Sequence, residues 1–307
     1  MALNGVLRPG FVQLRVKDID EALIHYRDRI GLSLVSREAD DRVYLKAYDE
    51  FDRHSIVLRE TDSAGMDAMG WKVLDEAAMD AFARRIEALG VEVTDVEAGE
   101  QPGVGRRKSF VAPTGHRIDL YAEMQLSDDC PMTENPDVWR DEPRGMKAIR
   151  FDHCLLYGDD IDGALEVFTG ALDFQLAECV KTEDGTLLAI FLTCSGKAHD
   201  VAFVRHEEKD RFHHCAFLLE DWSDIGHAAD IITRYDIEID IGPTRHGITR
   251  GKTVYFFDPS GNRNEVFAGG YQYYPDHPTR VWSVDQIGKS VFYYERALND
   301  RFMTVVT

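Results

Sequence analysis

The sequence predicts an α+β fold of two duplicated halves, each built from paired βαβββ modules. Three observations predict it. FVQLRVKDIDEALIHYRDRIGLSLV near the start reads as strand, amphipathic helix, strand, and FDHCLLYGDDIDGALEVFTGALDFQLAE repeats that order from residue 151. HSIVLRE is answered by HDVAFVRH, and FVAPTGHRIDLYAE by FFDPSGNRNEVFAG. Matched positions stay in step: Gln13 and His153 lie 140 residues apart, Asp119 and Glu265 146 apart.

The length of 307 residues suits two domains at about 150 residues each. The first helix is entered through Asp18 or Asp20, whose carboxylates suit a helix start. LSDDCPMTENPDVWRDEPRGMKA is rich in Asp, Glu and Pro and lacks periodicity, so it reads as a linker. It divides the chain near Gly145 into an N-terminal repeat domain, 1–145, and a C-terminal one, 146–307. Within the second, GPTRHGITRGKTVYFFDPSGNRNE combines a β-branched and aromatic run, a DPSGN turn and a resumed extended pattern. It predicts a hairpin that holds Glu265 near the start of its second strand, with His246 and Tyr255 on the preceding loop and strand. In the tail, Ile287, Val291, Tyr294 and Leu298 recur at helical spacing. That tail has no counterpart in the first half and predicts a C-terminal helical extension packing back over the second, carrying Phe302 toward a pocket; a subunit contact is the alternative.

Apolar content of 44% and charged content of 29% describe an ordinary globular protein. No window approaches the roughly 20 apolar residues that span a bilayer. MALNGVLRPG has neither a basic nor an apolar leader region, so a cytoplasmic protein is expected. Five cysteines without paired spacing fit reduced thiols. The net charge of −20 argues against nucleic acid or an anionic membrane as partner and favours a small, nearly neutral substrate.

His153 in RFDHCLLYG and His214 in RFHHCAFLLE sit in apolar strand patterns, and Glu265 opens a third. Two histidines and one carboxylate on three strands form the ligand set of a non-haem Fe(II) facial triad, although zinc uses a similar set in hydrolytic sites. A lone histidine on a strand is more often a satisfied core residue. The repeat supplies a control, because the matching positions of the first half carry Gln13, approximately Gly70, and Asp119. The fold therefore does not require the histidines. Cys154 and Cys215 follow the ligands, and their side chains are expected to pack on the opposite face.

The stretch from Gly242 to Glu265 resembles the signature of the extradiol ring-cleavage dioxygenases of the vicinal oxygen chelate superfamily, and the likeness runs from VLRPGFVQLRV to NDRFMTVVT. The resemblance implies modules closed into incomplete barrels, Fe(II) on His153, His214 and Glu265, catechol-type substrates, O2 and a homotetramer. It implies His199 as acid–base catalyst, a role suited to a pKa near neutral. It implies that His246 and Tyr255 bond the catecholate oxygens, and that Leu155, Ile190, Phe191, Ile248, Thr249, Val291 and Phe302 contact the ring. Two alternatives stand beside it: a glyoxalase-like isomerase, whose ligands usually come from both halves, and a non-enzymatic protein that sequesters an aromatic compound and needs no metal.

Overall fold

Each crossover helix begins at an aspartate. Asp18 caps α1 (Ile19–Leu23), Asp75 caps α2 (Glu76–Ala88), Asp160 caps α3 (Ile161–Glu166) and Asp221 caps α4 (Trp222–Arg234). In each a carboxylate oxygen accepts a backbone N–H of the first turn, a contribution of about 1 kcal/mol per helix. α1 and α3 continue into π-helical turns, Ile24–Ile30 and Val167–Ala171. The computed structural model describes residues 5–40 and 42–307; Met1–Asn4, part of the stretch read above for a leader, lie outside them.

The first half supplies β1 (Val6–Val16), β2 (Ser33–Arg37), β3 (Val43–Lys46), β4 (Ile56–Glu60), β5 (Gly65–Val73), β6 (Val93–Val96), β7 (Arg107–Val111) and β8 (Arg117–Tyr121). The second supplies β9 (Arg150–Gly158), β10 (Gln175–Lys181), β11 (Leu187–Thr193), β12 (Val201–Arg205), β13 (Arg211–Leu218), β14 (Ile239–Arg245), β15 (Gly251–Phe257) and β16 (Arg263–Gly269), followed by β17 (Arg280–Ser283). With the helices in place, each half reads βαβββ twice, as the repeat predicts. The sheets run β2-β3-β4-β1-β5-β8-β7-β6 and β14-β15-β16-β13-β9-β12-β11-β10-β17. Two modules thus join along one central antiparallel pair, β1/β5 or β9/β13, each strand of which also has a parallel neighbour. Residues 127–149 form no strand or helix, in keeping with a linker.

Both central pairs are bulged, two of the bulges fall in the same places, and β1/β5 has a third at Leu7. Gly10 and Asp67 are extra residues in β1/β5, as Asp152 and His213 are in β9/β13. The register also corrects the repeat alignment. Glu265 pairs with Ala216 and Ala216 with His153; correspondingly, Asp119 pairs with Gly70 and Gly70 with Phe11. The first-half counterparts of His153 and His214 are therefore Phe11 and Ala68, not Gln13 and Gly70. Matching Phe11 to Phe151 by residue type ignored two residues by which the second segment is longer before its helix.

The tail differs from the single helix that the spacing predicts. It forms a 3-10 turn, Val284–Gln286, then α5 (Ile287–Val291) and α6 (Asp300–Thr304). Phe292 leaves the helix in an extended conformation and packs with Tyr255 and Phe302, while Tyr293 N–H donates to the Arg245 carbonyl. Tertiary burial of Phe292 overrides helical periodicity, and Tyr294 is left exposed.

The halves share one core. Trp71 of β5 meets Phe174 edge-on, ring centroids 4.9 Å apart. All five cysteines are free, and Cys154 and Cys215 lie in that core, as expected from their strand positions. Among the described residues no helix is long and apolar enough to cross a membrane.

Candidate functional site

β9, β13 and β16 lie side by side, and each turns one ligand-type side chain to a common point. His153 Nε2 is 3.2 Å and His214 Nε2 3.1 Å from the same oxygen, Glu265 Oε2. Metal–ligand bonds of about 2.1 Å at right angles put neighbouring ligand atoms about 3.0 Å apart, so this spacing fits one face of an octahedron. Two imidazoles with one carboxylate suit iron, manganese or zinc; calcium and magnesium prefer oxygen alone. The residues therefore fit a transition-metal ion. Glu265 is also fixed from behind, because Thr253 Oγ1 donates to its Oε1 at 2.6 Å.

The charges around the three differ. Burial opposes ionisation of Glu265, but the His153 and His214 imidazoles against it hold its carboxyl well below the usual range. At His214 burial wins, pushing the imidazole down to about 4. At His153 burial is outweighed by Asp152 and Glu265, and the pKa rises. The difference is Asp152, whose Oδ2 lies 3.0 Å from His153 Nδ1. A carboxylate can only accept here, so Nδ1 carries a hydrogen, and in the neutral ring it is Nε2 that presents the lone pair inward. Asp152 stays ionised despite its burial because Lys197 Nζ sits 3.2 Å away.

His199 is buried beside the triad, its ring centroid 4.1 Å from that of His153 and 5.4 Å from that of Phe191. Among the described residues its ring nitrogens have no hydrogen-bond partner. Burial pushes its pKa well below the ordinary value, further than the near-neutral expectation, and His153 adds to the shift. A neutral imidazole results. His246 Nδ1 donates to the Val291 carbonyl, so its bare Nε2 accepts from Tyr255 O–H at 2.8 Å. Burial and the nearby Glu265 charge hold the Tyr255 phenol protonated. The predicted hairpin is present, with Tyr255 opposite Glu265 in the ladder.

These groups open onto a cavity of about 640 Å³, and Leu155, Phe191, Ile248, Thr249, Val291 and Phe302 line it. Ile190 does not. It lies in the core on the other side of β11, because successive strand residues face opposite ways and Phe191 faces the cavity. The wall is held rigidly at Thr249, whose φ is +56°: its N–H donates to Glu178 Oε1 at 2.7 Å, and the Trp282 indole N–H donates to Glu178 Oε2 at 2.8 Å.

Comparison with known proteins agrees with this geometry. Residues 66–125 match the family model "Catechol 2,3-dioxygenase-like N-terminal domain", and residues 150–266 match "Glyoxalase/Bleomycin resistance protein/Dioxygenase superfamily". A metapyrocatechase of Pseudomonas sp. (strain CF600) is 51% identical over 305 residues, 99% of either chain. The chain belongs to the metapyrocatechase, or catechol 2,3-dioxygenase, family. Among solved structures, the 2,3-dioxygenase LapB from Pseudomonas sp. KL28 superposes on this family member with a TM-score of 0.90 at 44% identity, covering 92% of this chain and 99% of that one. More distantly, a manganese-dependent 2,3-dihydroxybiphenyl 1,2-dioxygenase of Geobacillus genomosp. 3 is 26% identical over 93% of this chain and 92% of that protein.

Sequence reasoning about this metapyrocatechase relative passed over Asp152, His213, Lys197 and Thr253. Strict strand alternation turns the neighbours of a ligand away from it, and this holds for Cys154 and Cys215. It fails for Asp152 and His213 because both are bulge residues. The doubled histidine in RFHHC is the one signal that pointed there.

Proposed function

We propose that the protein cleaves catechol and substituted catechols next to the diol, with O2 and with Fe(II) held by His153, His214 and Glu265. The observation that carries the reading is the convergence of two Nε2 atoms on one carboxylate oxygen at the wall of an apolar cavity. When bound, the ferrous ion would hold catechol and O2 on adjacent open positions and pass electron density from ring to O2, which redox-silent zinc does not do.

The chain's own residues supply the rest. Leu155, Phe191, Ile248 and Phe302 take a flat ring and exclude water. His246 Nε2, bare, accepts the proton of one catechol hydroxyl, and Tyr255, which keeps its own proton, donates a hydrogen bond to the oxygen left behind. The substrate is thereby held as an anion. His199, beside His153 on the cavity wall, accepts the second hydroxyl proton. His199 returns its proton as the ring opens and His246 returns the other as the product forms, so 2-hydroxymuconate semialdehyde contains both atoms of O2 and every hydrogen of catechol.

This reading assigns the chemistry to residues 146–307 and leaves 1–145 without metal. It takes the homotetramer and the cytoplasm from the family resemblance, with five free thiols in support of a reducing compartment. The test is direct. Catechol added to Fe(II)-loaded protein should turn yellow as the semialdehyde forms, and a protein that merely sequesters catechol would give no new absorbance. Metal analysis should give one iron per chain; full activity with stoichiometric zinc would remove iron from the proposal, and manganese belongs in the same assay because one relative bears its name.

A further inference from the structure

His214 has a second ring nitrogen, and it meets an imidazole where that of His153 meets a carboxylate. His214 Nδ1 lies 2.7 Å from His213 Nδ1, and His213 Nε2 lies 2.7 Å from the main-chain oxygen of Phe302 in α6. A carbonyl only accepts, so His213 Nε2 carries a hydrogen. The two Nδ1 atoms share a single hydrogen between them. If His213 donated it, His214 would accept at Nδ1 and carry its own hydrogen on Nε2, closing that atom to a metal. The only arrangement that leaves His214 Nε2 bare has His214 donating to His213, and the Phe302 carbonyl is what selects it.

The carbonyl is itself tied down. Arg263 Nη1 donates to the Val305 carbonyl at 2.7 Å and Nη2 to that of Arg301 at 3.3 Å. Thr307 and Phe212 exchange backbone hydrogen bonds of 2.8 and 3.0 Å. Asn299 Oδ1 caps α6 by accepting from Phe302 N–H. The His213 ring is stacked on Tyr157, interplanar angle 22°, and meets the Phe302 ring edge-on. The equivalent bulge of the first half holds Asp67, which bonds Arg59 and Gln13.

We infer that His213 is a positioning residue through which the Asn299–Thr307 segment fixes the tautomer and ring plane of His214, so that the hold on the metal depends on that segment being seated. The segment then serves the site twice, as a wall through the Phe302 side chain and as a proton-ordering acceptor through the Phe302 backbone.

The inference rests on the metal-centre reading, and its test separates the two. Apoprotein is loaded with Co(II), and metal transfer to a chelator is timed without catechol. His213→Phe keeps the ring packing but removes the acceptor, and metal affinity should fall about 10- to 100-fold, the usual cost of losing such a partner. His213→Asn offers a carbonyl oxygen near the position of Nδ1 and should hold metal much more nearly as the parent does. Asn299→Ala loosens α6 and should speed release in the parent, yet add nothing in the His213→Phe background, since both break one chain. Release from folded His213→Phe at the parent rate, equal losses in His213→Asn and His213→Phe, or full additivity with Asn299→Ala would each overturn the inference. Failure of the parent itself to bind metal would overturn the metal centre and this inference with it.

Discussion

The two halves of the chain keep the same strand order and the same two bulges, but they answer one buried carboxylate differently. In the second half the bulge residues Asp152 and His213 bond the outer nitrogens of the two histidines. In the first half the matching bulges hold Gly10, where the Tyr121 hydroxyl fills the space of a side chain, and Asp67, which turns to arginines. Phe11 and Ala68 stand in place of the histidines. Asp119 remains at the position of Glu265, and Arg107 Nε approaches it at 3.2 Å with Arg117 at 3.0 Å. Arg107 occupies the ladder position of Thr253 and lies over the Phe11 ring, 6.0 Å from its centroid. A guanidinium built into the chain thus meets the charge in one half that a cation from solution is proposed to meet in the other. The fold demands that the carboxylate be answered, and it does not specify by what.

The largest effect that would sharpen this contrast is at the carboxylates themselves. Glu265→Gln keeps the shape and removes the charge, so metal content and turnover should drop together; a metal contributing several kcal/mol of barrier lowering corresponds to about 10³-fold in rate. Asp119→Asn should leave both where they were. Metal analysis with steady-state ring cleavage decides it, and metal loss from Asp119→Asn would break the contrast outright. Next come His199 and His54, which precede equivalent strands. His199→Asn should retain metal and lose about 10²-fold in rate, the size of an acid–base contribution. His54→Asn should leave the rate alone, and a matched loss in both would mean that position, not chemistry, sets the effect.

Arg107→Met leaves Asp119 buried beside no opposite charge but that of exposed Arg117, and should cost about 3–5 kcal/mol in a urea titration. Adding Asp119→Leu should recover most of it. Recovery failing to appear would mean that Arg107 acts through its bond to Glu100 instead. The smallest effect lies where the halves touch. His116 bridges Thr114 Oγ1 at 3.0 Å and the Arg211 carbonyl at 3.1 Å, and burial pushes its pKa down to about 4. The unfolded chain, with a histidine near 6.5, takes the proton first, so the contribution is full above about 6.5 and is lost as pH falls toward 4. Between pH 7 and 5 this amounts to about 2 kcal/mol. His116→Gln should flatten that slope of the unfolding free energy against pH, and an unchanged slope would acquit His116.

Module order, the hairpin and the three residues that converge at the site were legible because periodicity, turn chemistry and duplication are written in residue types. The bulges were not, since an inserted residue looks like any other, and with them Asp152 and His213 stayed hidden behind the rule of alternation. Ile190 was misplaced by the same rule left unapplied: its neighbour Phe191 takes the cavity face. The tail misled differently, because a helical spacing through Tyr294 and Leu298 says nothing of the gain from burying Phe292 against Tyr255.

Asn264, beside Glu265 in β16, turns its amide into the other half of the chain. Its Oδ1 accepts from His25 Nε2 at 2.8 Å and its Nδ2 donates to the Tyr26 hydroxyl at 3.2 Å; nearby, Asn262 Nδ2 donates to the Arg15 carbonyl at 2.8 Å. The strand that carries Glu265 is therefore lined by residues more than two hundred positions away in the chain. Severed within residues 127–147, neither fragment would own a complete interior: one would open the back of β16 to water, the other the π-helical turn that covers it. The two pieces would act as complementing subunits, inert apart and active on mixing, with the first-half fragment serving as an obligate template for its twin.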